Sequence, residues 1–115
     1  MNYPVSDHQI SLAEAITLTA NFRAKQPPGT ALSETFSLGP VNALAAFPGA
    51  AYLRIYNGMR EDGTIVMILV AAGTDGNDLL PPLQSSESMT DEPPVLEDGF
   101  RCPQYCPTDS PLSGS

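Results

Sequence analysis

Residues Ile65 to Ala72 read IVMILVAA, apolar at every position. A strand with one wet face alternates apolar and polar residues. A strand apolar on both faces must be covered on both. The run is far too short to cross a bilayer as a helix, and its β-branched residues favour a strand. Just before it, Ala51-Tyr52-Leu53-Arg54-Ile55-Tyr56 alternates. Leu53 and Ile55 share one face; Tyr52, Arg54 and Tyr56 share the other. The two segments form an antiparallel hairpin. Asn57-Gly58 and Asp62-Gly63 both suit a type I′ turn. Asp62-Gly63 stands directly before the second strand and pairs longer strands, which leaves Asn57-Gly58 as a bulge.

An isolated hairpin is not stable, so the rest of the chain must cover this one. A helix is expected from Ser11, where Ser11-Leu12-Ala13-Glu14 is a capping box. Leu12, Ala15, Ile16, Thr19 and Phe22 fall on one helical stripe. Arg23 and Lys25 suit its C-terminal end, and Pro27 stops it. A short second helix is expected over Pro40–Phe47, with Pro40 at its first position, Val41, Leu44 and Ala45 on its apolar face, and Pro48-Gly49 ending it. These helices cover one face of the sheet. The remaining face or edge needs a strand from Ser33–Phe36, from Val95-Leu96 or Phe100, or from a second copy of the chain. The fold class is α+β: a long N-terminal helix, a short second helix, an antiparallel hairpin in a small sheet, and an extended C-terminal segment.

Composition changes near residue 74. Beyond it stand eight acidic residues against Arg101 alone, with seven prolines. The first part, with five acidic and four basic residues, is close to neutral. The expected division is a small α+β domain over 1–74 and an acidic, proline-rich extension over 75–115, partly packed on the domain. The formal net charge of −8 opposes nucleic acid and anionic membrane surfaces as partners. The start MNYPVSDHQ has no basic segment followed by an apolar run, which leads to the expectation of a cytoplasmic protein.

The two cysteines, Cys102 and Cys106, lie in RCPQYCP. In the cytoplasm they are expected as thiols or metal ligands rather than a stable disulfide. Structural zinc takes four ligands, so the pair is half a site at most. Zinc held between two subunits would complete it. A redox role lacks the C-x-x-C spacing and a helix N-terminus to lower a thiol pKa. The favoured reading is a proline-stiffened strip whose small apolar cysteines pack on the domain. His8 is the only histidine and is read as a surface residue. Asp75-Gly76-Asn77-Asp78 lacks the spacing of a calcium loop and reads as a turn. Glu61-Asp62 at the hairpin tip is too wet for acid–base work. Phosphate loops, serine elbows and zinc-protease motifs are absent from the sequence.

Tyr52, Arg54 and Tyr56 form the best candidate binding surface, because tyrosine and arginine are enriched in hot spots. The expected function is a non-enzymatic protein–protein interaction, structural or adaptor role, with a protein partner or a homodimer and no cofactor. The alternative is a metal- or thiol-dependent protein using Cys102 and Cys106.

Leu53-Arg54-Ile55-Tyr56, Gly58-Met59 and Glu61-Asp62-Gly63-Thr64, followed by the apolar strand and the terminal Cys-Pro pair, make a composite pattern. With Ile10-Ser11-Leu12 and Glu14-Ala15-Ile16, it resembles a group of small uncharacterised bacterial proteins of similar length. The resemblance covers most of the chain. It implies no activity, no catalytic residue and no ligand.

Overall fold

A computed structural model describes residues 3–83 and 92–114. The chain forms two compact units. One is Phe36–Gly99 with the N-terminal segment up to Pro4; the other is Val5–Thr35 with Phe100–Ser115. Helices and antiparallel sheets make the fold α+β, as the sequence indicates. The units do not follow the change in composition at residue 74, because the acidic segment supplies strands to both.

The first helix, α1 (Leu12–Ala24), belongs to the second unit. The Glu14 N–H donates to Ser11 Oγ at 3.0 Å, which is the expected cap. Ala15, Ile16 and Thr19 are half-buried, whereas Leu12 and Phe22 are largely exposed. Strand β1 (Ser33–Thr35) pairs antiparallel with the later strand β6 (Phe100–Cys102). Residues 33–36 therefore do supply a strand, but it joins the end of the chain and not the hairpin. Glu34 stands directly opposite Arg101 in this pair, a favourable cross-strand placement of opposite charges.

In the first unit, helix α2 spans Leu38–Ala45 and begins two residues before Pro40. Pro40 still sits in the first turn, where backbone N–H groups have no helical partner to lose. The hairpin strands are β2 (Tyr52–Met59) and β3 (Ile65–Ala72). Strand β4 (Asp78–Leu79) and strand β5 (Val95–Leu96) both pair with β3 on its other edge. Val95-Leu96 thus folds back as the sequence allows. The order β2-β3-β4 leaves β3 inside the sheet and β2 at its rim.

Leu44 from α2 meets Leu69 and Ala71 of β3 in the core. Phe36, Val41, Ala50, Met67, Leu79 and Leu96 pack around them. The expected apolar face of the second helix is therefore the one that docks.

Two local expectations are corrected. Pairing of β2 with β3 runs without interruption from Tyr52 opposite Ala72 to Met59 opposite Ile65. Asn57-Gly58 is regular strand, not a bulge. Glycine serves there because a Cβ would come within 3.0 Å of Ile68 Cδ1 and 3.3 Å of Val66 Cγ2. The turn does lie at Asp62-Gly63, but it is not the two-residue type. The Arg60 N–H donates to the Thr64 carbonyl at 2.9 Å, closing the loop Glu61-Asp62-Gly63. Gly63 takes φ +91°, the left-handed end of a longer hairpin loop. The Thr64 N–H donates to Asp62 Oδ1 at 3.0 Å, and hydrogen bonding from Thr64 holds the Asp62 carboxyl below its ordinary pKa.

Candidate functional site

Backbone parity decides what each residue of β2 presents. Along a strand, N–H and C=O groups point alternately to the two sides. Arg60 bonds to Thr64 across the hairpin, and Gly73 donates to the Asn77 carbonyl on the opposite side of β3. Both bonds give the same parity. Tyr52, Arg54, Tyr56 and Gly58 turn their backbone groups toward β3. Leu53, Ile55, Asn57 and Met59 turn theirs to the outer edge, which pairs with no strand among the described residues.

The side chains of that second set share the sheet face on which α2 packs. Leu53 and Ile55 lie on the face that packs against α2, yet they are 49% and 54% exposed, and Met59 is 68% exposed. The reason is position. Helix α2 docks over Leu69 and Ala71 of the inner strand, and the rim strand lies beyond that cover. Ile65, opposite Met59, is also largely exposed. A shallow cavity of about 180 Å³, lined by Val41, Leu44, Ala45, Ala50 and Leu53 among others, opens beside the start of β2.

On the opposite face, Tyr52, Arg54 and Tyr56 are brought together as the sequence suggests. Arg54 Nη1 donates to Asp78 Oδ1 at 2.5 Å and to the Gly76 carbonyl at 2.9 Å. Arg54 Nη2 donates to the Tyr3 hydroxyl. The Tyr56 hydroxyl donates to Asp78 Oδ2 at 2.5 Å. Tyr3 and Tyr52 meet edge to face, with ring centroids 4.8 Å apart. The hydrogen bond from Tyr56 and the Arg54 guanidinium hold the Asp78 carboxyl below its ordinary pKa. The same contacts with Asp78 push Tyr56 and Arg54 upward. The trio is therefore a braced cluster whose charged group is already paired.

Asp78 is the member that sequence reasoning misses, because in the sequence it belongs to a turn. That turn exists: the Gly76 N–H donates to the Gly73 carbonyl and the Asn77 N–H to Asp75 Oδ1. The available signal was Arg54 itself, since a cation in a strand of apolar and aromatic residues needs a carboxylate.

In the second unit, Cys102 and Cys106 form a disulfide across a sequence separation of 4. This corrects the expectation of packed thiols. The turn that joins them is closed by the Tyr105 N–H donating to the Arg101 carbonyl at 2.8 Å. Cys102 is fully buried and Cys106 is exposed. Cys106 lines an open groove of about 660 Å³ with Leu32, Phe100, Tyr105, Pro107 and Leu112 among its walls. A zinc ion on these sulfurs would require the bond to be reduced and ligands from a second chain. Among the described residues, no group of three or more His, Cys, Asp or Glu side chains could hold a metal. His8 is exposed in the same unit. Among the described residues no helix is long and apolar enough to cross a membrane.

The chain matches no family model, no curated protein and no solved structure.

Proposed function

We propose that this is a non-enzymatic interaction protein whose working surface is the outer edge of β2. The observation that carries the reading is the coincidence of two things on one strand. Leu53, Ile55, Asn57 and Met59 direct their backbone donors and acceptors outward. The apolar side chains of Leu53, Ile55 and Met59 stand beside them, each about half exposed or more. An edge of this kind is a template for an added strand. Main-chain hydrogen bonds supply affinity, and a cavity beside the strand supplies selection among side chains. The cluster of Tyr52, Arg54, Tyr56 and Asp78 braces the strand from its other face.

Amide exchange tests this with short strand-forming peptides, the β2 segment itself included. A bound strand slows exchange at Leu53, Ile55 and Asn57. The reading fails if no peptide slows those amides and Ile55→Lys leaves every association of the protein unchanged.

A thiol-dependent role is the second reading, favoured by the exposure of Cys106 over a groove. Thiol titration before and after mild reduction tests it. A pair that resists reduction until the protein unfolds contradicts it.

A further inference from the structure

We infer that the strand that pairs with the β2 edge is the β2 strand of a second copy, running antiparallel about a twofold axis at Ile55. The inference rests on the reading of that edge as the working surface. The sequence YLRIYNGM is suited to pairing with itself in one register and poorly suited in its neighbours.

Parity limits the choice. If both copies keep α2 on the same side of a continuous sheet, each residue must face one of like orientation. The axis then falls on a residue and not between two residues. An axis at Arg54 sets two guanidinium groups directly opposite, which is destabilising. An axis at Tyr56 sets Ile55 against Asn57 and Arg54 against Gly58, wasting both side chains. An axis at Ile55 sets Ile55 against its own counterpart and Leu53 against Asn57. On the other face it sets Arg54 against Tyr56, a cation beside an aromatic ring.

That register also satisfies the backbone. Ile55 exchanges hydrogen bonds with the partner's Ile55, and Leu53 exchanges them with the partner's Asn57, because all three residues face outward. Charge fits as well. Arg54 is the only ionisable cation on β2, and Asp78 neutralises it within each copy. The two clusters therefore meet without a surplus of either sign, although the whole chain carries −8. Joining two rim strands removes both open edges, and the two-copy sheet continues the order β4-β3-β2 through the axis.

Light scattering over a concentration series is the first arm. A mass of twice 12.2 kDa is expected, falling to the single-chain value in Ile55→Lys. Asn57→Pro is a second variant. It removes an outward N–H that the single chain does not use, so melting changes little while pairing is lost. Cysteine cross-linking is the second arm, with the linked residues located by mass spectrometry. Ile55→Cys forms a linked dimer, since paired Cα atoms about 5.5 Å apart are within disulfide reach. Leu53→Cys alone does not, because its two copies lie about 13 Å apart along the strands. Leu53→Cys mixed with Asn57→Cys does.

A dimer unaffected by Ile55→Lys and Asn57→Pro overturns the inference, and the edge reading with it only if an added peptide fails to protect the edge amides. A monomer at every concentration overturns the inference alone if an added peptide still protects the edge amides. If the peptide fails too, the edge reading falls with it.

Discussion

Strands β2 and β3 belong to one hairpin and differ sharply in fate. From Leu69 to Ala72, β3 is buried at every position. No residue of β2 is buried. Both strands carry Leu and Ile on the face toward α2, so apolar content does not separate them. Neighbours do. The strand apolar on both faces sits inside the sheet, between β2 on one side and β4 and β5 on the other. The alternating strand sits at the rim, where one helix of Leu38–Ala45 does not reach. An alternating pattern says which residues share a face; it does not say whether the same chain covers that face.

The largest effect expected from this contrast is at Leu69. Leu69→Ala should cost about 2–5 kcal/mol by opening a cavity against Leu44, read by denaturant unfolding. A cost below about 1 kcal/mol would put the core elsewhere. Leu53→Ala removes a side chain that is half exposed, so in the single chain it should cost only about 1 kcal/mol. A cost equal to that of Leu69→Ala would erase the distinction between the strands. Gly58→Ala sharpens it from the other face. The new methyl meets the far end of Ile68, which can yield, and about 1 kcal/mol is expected. A stabilised protein would show that the space over Gly58 is empty.

The smallest effect is electrostatic and depends on pH. The Asp78 carboxyl is held below its ordinary pKa by Tyr56 and Arg54. A depressed folded value gives stability above the ordinary carboxylate range, lost as pH falls through the folded value. Asp78→Asn should therefore lower Tm at neutral pH, and the difference from the unsubstituted protein should shrink below about pH 4. A difference that is constant with pH would mean that Asp78 acts only as a packed side chain.

Much of this arrangement is legible in the residues. The cap at Ser11, the docking of Val41 and Leu44 and the hairpin each follow from a local rule of spacing or chemistry, and Val95-Leu96 is one of several segments the sequence allows to cover the sheet. What escapes is set by distance along the chain. Residues 33–35 and 100–102 make equally good strands for several partners, and nothing in either segment says that they choose each other. The pairing of Arg54 with Asp78 spans a turn whose own chemistry already accounts for the aspartate. The disulfide escapes because the expected compartment argues against it, and that argument is external to the spacing of Cys102 and Cys106. The exposure of Leu53 and Ile55 was hidden for the most general reason: their pattern is that of a core face, and only the reach of α2 decides otherwise.

Residue-resolved amide exchange on the hairpin, in dilute and in concentrated solution, tests the central claim most directly. In dilute protein, Arg54, Tyr56 and Gly58 should exchange slowly while Leu53, Ile55 and Asn57 exchange fast. At high concentration the second set should slow as well. If Leu53, Ile55 and Asn57 are already protected at dilution, or stay fast however concentrated the protein, then β2 does not offer its outer edge to a second copy.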